Sequence, residues 1–277
     1  QTLEAATSAL PASARAFLAA TGYKAAPGQI ALVPGARGAI ERVLFGVEEE
    51  GKPADPFLYG RLAAGLPEGA YAFASPPPEP ELALLAFAMA GYRFTRYRTG
   101  EPPRAQLVAP SGVDAARISA IAAAIARGRD LINTPANDLG PEALGAEAVA
   151  VAEAHGASVK EIVGRRLLKK NYPLIHAVGR AAAEEPRLID FTWGEPSHPK
   201  VTLVGKGVCF DTGGLDIKPS AAMLLMKKDM GGAATALAAA AMIMGQGLKV
   251  RLRVLIPIVE NAVAGASFRP GDILPSR

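Results

Sequence analysis

Short apolar runs alternate with Ala-rich amphipathic stretches along the first 110 residues. QIALVP (29–34) and GAYAFA (69–74) have the length and residue types of strands. Residues 11–20, 38–46 and 79–90 carry apolar side chains at helical spacing. Breaks fall at Pro/Gly clusters such as Ser75-Pro76-Pro77-Pro78. The pattern predicts βα units on a mostly parallel sheet. No acids, bases or nucleophiles gather there, so this part reads as a structural or assembly domain. Residues 111–128 predict one long helix, with Asp114 as its N-cap and Ile118, Ile121 and Ile125 on one face. The domain boundary is placed at that helix, giving an N-terminal domain over 1–111 and a second domain over 112–277.

In the second segment Pro141 marks a helix start and Gly156 its stop. Strands are predicted at Ser158–Val163, Arg187–Trp193, Val201–Val204 and Val250–Val259, with an Ala-rich helix from Gly231 to Met244. An α/β domain begun here needs more strands and helices than the sequence supplies. Val250–Val259 is therefore expected to show an uncovered edge or face, which makes the isolated chain prone to aggregate.

Composition narrows the class. Of 277 residues, 50% are hydrophobic and 20% charged, as in an ordinary globular core. The net charge of +4 without long Lys/Arg blocks argues against a dedicated nucleic-acid binder. A single cysteine excludes internal disulfides and cysteine-rich zinc modules. No apolar run is long enough to span a membrane, and no basic region precedes an apolar core at the start, so a cytoplasmic location is expected. The first residue is not Met, which suggests trimming.

GxSxG, GxxxxGK[ST], HExxH and CxxC are all absent, and the three histidines (His155, His176, His198) lack ligand spacing. Residues 201–236 stand apart. Lys206 lies between Gly205 and Gly207 where an apolar strand leaves the core, and a buried charged amine there needs neutralising or pairing. Asp211 follows Val208-Cys209-Phe210. Gly213-Gly214 permits close backbone approach. Asp229 stands at the head of the Ala-rich helix, where the macrodipole favours an anion. Two carboxylates and an amine are compatible with a divalent-metal site. They are equally compatible with a Lys–Asp ion pair at a sheet edge and a simple N-cap. Lys218-Pro219, on the adjacent loop, reads either as a substrate-facing ammonium or as a solvated lysine. Gly205-x-Gly207 also raises a nucleotide-binding module, but Phe210 stands where the third glycine belongs.

VGKGVCFDTGGLDIKPS and MKKDMGGAA resemble the signature of the M17 leucyl aminopeptidase family, the two-metal cytosol aminopeptidases, with the spacings intact. The similarity extends over NTPAND (133–138), NYPLIHAVGRAAAEEPRLI (171–189) and PIVENAVAGASFRPGDIL (257–274). The resemblance implies an α/β fold with a smaller N-terminal α/β domain. A mixed-sheet α/β metallopeptidase domain, incomplete at its C-terminus, follows it. It implies Lys206, Asp211 and Asp229 as metal ligands, Lys218 as the catalytic lysine, and Met226 in the pocket for the substrate's first side chain. Cys209 then reads as unreactive strand core. Two divalent ions (Mn²⁺ or Zn²⁺, or Mg²⁺), a bicarbonate, peptide substrates with a free N-terminus, a leucine-like preference and a homo-hexamer are implied likewise. The family's NTDAEGR segment, which supplies further acids and the bicarbonate-holding arginine, is not in this sequence. The 277-residue chain alone is thus expected to be inactive. The competing expectation is a non-catalytic truncated paralogue or scaffold subunit.

Overall fold

The computed structural model describes all residues except 1, 2, 9, 36, 37, 50, 101–103, 266 and 277. The chain divides into two compact units, Gln1–Arg93 with Thr99–Ser119, and Phe94–Arg98 with Ala120–Arg277.

In the first unit, β1 (Ile30–Pro34) pairs antiparallel with β2 (Ile40–Phe45). The helix Ala12–Ala20 packs its Ala14 and Leu18 with Ala31 and Val33 of β1. β3 (Gly69–Tyr71) pairs parallel with β4 (Ala105–Leu107). Two expectations fail here. Residues 38–46 are not a helix, because the chain turns back after β1. Gly35 N–H donates to Ala39 O at 2.8 Å, and Gly38 takes φ +79°, a left-handed conformation suited to glycine. The β-branched Ile40 and Val43 then find a strand partner at hand. The mostly parallel sheet is likewise replaced, among the described residues, by one antiparallel and one parallel pair. The strand predicted over 69–74 stops at Tyr71.

The second unit is built on a five-stranded mixed sheet of β5 (Ser158–Val163), β6 (Arg187–Trp193), β7 (Lys200–Val204), β8 (Gly207–Asp211) and β9 (Arg251–Asn261). β5, β6 and β9 run antiparallel in that order, while β7 and β8 both pair parallel with β9. On β9 the alternate residues Leu252, Val254, Ile256 and Ile258 are fully buried. They pack with Ile189 and Phe191 of β6 and with Leu144, Leu237 and Ala240 of the helices Pro141–Glu153 and Gly231–Gly245. Each such side chain contributes about 1.5–3 kcal/mol. On the opposite face the Arg253 guanidinium lies on the Asp190 carboxylate at 2.7 and 3.0 Å, beside the apolar Leu255, Pro257 and Val259.

The expectation that Val250–Val259 carries an uncovered edge is overturned. β9 is interior to the sheet, with β6 on one side and β7 followed by β8 on the other. The long helix spans Ala115–Asn133, and Asp114 Oδ1 accepts the Arg117 N–H at 2.9 Å as the sequence suggests. Cys209 is buried in β8, and burial pushes its thiol pKa up, so it stays protonated at neutral pH.

Candidate active site

The site forms where β7 gives way to β8. Gly205, Lys206 and Gly207 cross directly over the start of the Ala-rich helix, and Ala233 N–H donates to Lys206 O at 2.9 Å. That contact satisfies one of the helix's otherwise unpaired N–H groups. It also leaves no room for side chains. A Cβ on Gly205 would stand 2.7 Å from Ala233 Cα and 2.9 Å from Gly232 O. One on Gly232 would stand 3.0 Å from Lys206 N. Gly205→Ala is therefore expected to destabilise the protein by about 1–3 kcal/mol through overpacking against backbone. A urea unfolding midpoint equal to the parent's would contradict it.

The structure pairs Lys206 with Asp229 and Lys218 with Asp211. The Lys206 ammonium donates to Asp229 Oδ1 at 2.7 Å, and Lys218 Nζ lies 3.1 Å from Asp211 Oδ2. Lys206 is 58% exposed along its side chain, so it is not the deeply buried amine that its place at the end of an apolar run suggests. Asp229 belongs to a short 3₁₀ helix, Met226–Met230, that precedes the Ala-rich helix. Its carboxylate turns to Lys206 and makes no capping bond to the following helix. Asp229 Oδ2 is buried and has no hydrogen-bond partner. Met226 opens the same 3₁₀ helix and is partly buried.

Asp211 ends β8. Its Oδ1 accepts Gly213 N–H at 2.9 Å and Asn261 Nδ2–H at 2.8 Å. Burial pushes this carboxyl up, but the hydrogen bonds from Gly213, Lys218 and Asn261, with the Lys218 charge, outweigh it and the net shift is downward. Gly213 takes φ +89°, and a Cβ there would lie 2.3 Å from Asp216 O. The turn is closed by Lys218 N–H donating to Thr212 O at 2.9 Å.

Three features escaped the sequence reading. Asn261 reaches Asp211 from fifty positions away. The Arg269 guanidinium forks onto Glu260 at 2.6 and 2.7 Å and also bonds Asp272 at 3.2 Å. Asn137, in NTPAND, donates to Ile273 O and accepts from Ile273 N–H, each at 3.0 Å, while Lys227 donates to Asn133 O. Only the segments 133–138 and 257–274, noticed as patterns, pointed toward these contacts.

Two carboxylates and an amine do fit a divalent cation in chemistry. The partnerless Asp229 Oδ2 is the kind of buried acceptor that a cation satisfies. No group of three His, Cys, Asp or Glu able to hold a metal occurs among the described residues, so the amine of Lys206 is needed to complete even a three-donor set.

The two-unit chain, with a smaller N-terminal unit followed by a mixed-sheet α/β unit, defines the class by its fold, and comparison with known proteins gives the family. The family model described as the cytosol aminopeptidase family, catalytic domain, matches residues 126–277, and that of the M17 aminopeptidase N-terminal domain matches 1–110. The chain belongs to the M17 cytosol aminopeptidase family.

The "probable cytosol aminopeptidase" of Streptomyces griseus is 30% identical over 309 residues, covering 98% of this chain and 60% of that protein. The one from Streptomyces coelicolor is 40% identical over 159 residues, covering 57% and 31%. The crystal structure of cytosol aminopeptidase from Coxiella burnetii is 45% identical with TM-score 0.86, covering 98% of this chain and 59% of that one. The bottromycin maturation enzyme BotP in complex with Mn is 32% identical with TM-score 0.77, covering 93% and 59%. The chain thus spans between a third and three-fifths of the length of these relatives. No helix among the described residues is long and apolar enough to cross a membrane.

Proposed function

We propose that the protein is a cytoplasmic metal-dependent aminopeptidase that removes the first residue, leucine-like by preference, from peptides with a free N-terminus. The observation that supports this reading is the pairing of Lys206 with Asp229, whose Oδ2 is buried and unsatisfied, and of Lys218 with Asp211, with Lys206 and Asp211 at the two ends of β8. A purely structural ion pair at a sheet edge would account for Lys206 and Asp229 but leaves that oxygen without a partner.

Lys206, Asp211 and Asp229 are the residues that would hold divalent ions, two in the intact site. Such ions would supply a nucleophilic hydroxide at neutral pH and polarise the scissile carbonyl. Lys206 must give up its proton and its bond to Asp229 to serve as a donor. Asp211, kept ionised by its hydrogen bonds, offers Oδ2 on the side of Lys218. Lys218 donates to the substrate carbonyl oxygen as negative charge develops there. Its backbone anchor to Thr212 fixes the loop independently of its side chain. Met226 borders the space for the substrate's first side chain. A homo-hexamer and a bicarbonate as proton carrier complete the reading for the intact protein.

In the intact protein with Mn²⁺, leucyl-p-nitroanilide is expected to be hydrolysed and its N-acetyl form to be resistant. A chelator should abolish turnover, and added Mn²⁺ should restore it. No release from any aminoacyl anilide with Mn²⁺, Zn²⁺ or Mg²⁺ would overturn the proposal in favour of a non-catalytic subunit.

A further inference from the structure

Asp211 has two unlike oxygens. Oδ1 takes two fixed neutral donors, the Gly213 N–H at 2.9 Å and the Asn261 amide at 2.8 Å. Among the described residues, Oδ2 is met by the Lys218 ammonium, at 3.1 Å. An ionised carboxylate accepts and cannot donate, so the contact also fixes which way the Asn261 amide points. Asn261 is placed for this by the sheet, because it ends β9 in register opposite Asp211. Its own carbonyl accepts Thr212 N–H at 3.0 Å and Thr212 Oγ1–H at 2.8 Å. Gly214 leaves the space for its side chain, since a Cβ there would stand 3.3 Å from Asn261 Oδ1.

We propose that Asn261 is a positioning residue that aims Asp211, holding Oδ1 so that Oδ2 is presented to a cation. The proposal rests on the reading of Asp211 as a metal ligand. Groups that hold a ligand's other oxygen orient it and limit the rotations that binding must freeze out, and their loss costs about 10–100-fold in metal affinity. The geometry separates this role from a merely structural one. The side chain of Asn261 bonds Asp211, whereas its backbone carbonyl ties down Thr212. Truncating the side chain removes the first contact and keeps the second.

The test is Mn²⁺ calorimetry on the intact protein, with leucyl-anilide kinetics alongside. Asn261→Ala is expected to weaken Mn²⁺ binding about 10–100-fold. Excess Mn²⁺ should restore most of kcat, and KM for the anilide should stay at the parent value. Asn261→Ser, which retains a polar group but is too short to reach Oδ1, should behave alike and serves if the alanine variant does not fold. Thr212→Val removes the hydroxyl bond to the Asn261 carbonyl and should leave Mn²⁺ affinity at the parent value. Parent-like Mn²⁺ affinity in both Asn261 variants would overturn the proposal. So would an equal loss in Thr212→Val, which would mean general loosening of the loop. Asp211→Ala separates the two levels. If it loses Mn²⁺ while the Asn261 variants do not, the proposal alone fails. If it binds Mn²⁺ as the parent does, the reading of Asp211 as a ligand fails and takes the proposal with it.

Discussion

Replacing Lys218 by alanine in the intact protein is expected to lower turnover about 10²–10³-fold, the usual cost of losing one donor to a developing oxyanion. KM should change far less, as befits an interaction made mainly in the transition state. Metal content should stay at the parent level. Lys206→Ala should fail differently, weakening metal binding and losing activity that excess metal partly restores.

The two lysines are only twelve positions apart, yet each pairs with a different carboxylate, Lys206 with Asp229 and Lys218 with Asp211. Backbone bonds hold both in place without their amines: Lys206 O accepts Ala233 N–H, and Lys218 N–H donates to Thr212 O. Loss of either side chain therefore leaves the loop standing, and the kinetic difference reports chemistry. Lys218→Arg should not recover the parental rate, because a planar fork does not replace a compact ammonium in a tight loop. Metal analysis with leucyl-anilide kinetics decides the matter. Loss of metal in Lys218→Ala, or full rate with both metals in Lys206→Ala, would reverse the assignment.

The second large effect is on stability. Arg269→Ala is expected to destabilise the protein by about 3–5 kcal/mol, the range for removing one partner of a buried charge pair. Glu260 and Asp272 are 6% and 2% exposed along their side chains. Without the guanidinium Glu260 loses both arms of its fork and Asp272 keeps only neutral backbone N–H donors, leaving two nearly dry carboxylates with no counter-charge from Arg269. Arg269→Lys should recover only part of the loss, since an ammonium cannot reproduce the fork onto Glu260. Asp272 also accepts Asn137 N–H at 3.2 Å, so the 133–138 turn should loosen with it. Urea unfolding with an unchanged slope and a shifted midpoint would read this out. A loss below about 1 kcal/mol, the worth of an exposed pair, would show that the network is solvated.

The hydrophobic pattern had its successes where a segment's environment is uniform along its length. Leu252, Val254, Ile256 and Ile258 alternate because one face of β9 meets helices throughout. Pro141 and Gly156 bracket a helix because their backbone restrictions are local. The pattern misled at 38–46, where Ile40, Val43 and Leu44 fit helical spacing but the preceding turn delivers the segment to β1. It misled again at the edge of β9, whose parallel neighbours are set by crossover connections that spacing does not encode.

The same division runs through the site. Residue types crowded within 201–236 made Lys206, Asp211, Lys218 and Asp229 candidates, but spacing alone fitted an ion pair and a solvated lysine equally well, and it was the resemblance of the motif that favoured a site. Which lysine meets which carboxylate was open, as was whether Asp229 caps a helix or faces an amine. Asn261 and the Glu260–Arg269–Asp272 network gave no spacing signal toward the site. By itself the sequence determined four of the five strands and the long helices of the second unit, though not β8 or the short helices Arg166–Lys169 and Pro173–Gly179. It also determined the chemical inventory of the site, since backbone preference and side-chain type are local properties. Only the tertiary structure decided the pairing within that inventory and the amide that aims Asp211. Those contacts depend on β9 lying between β6 and β8, and strand neighbours are chosen by burial over the whole sheet.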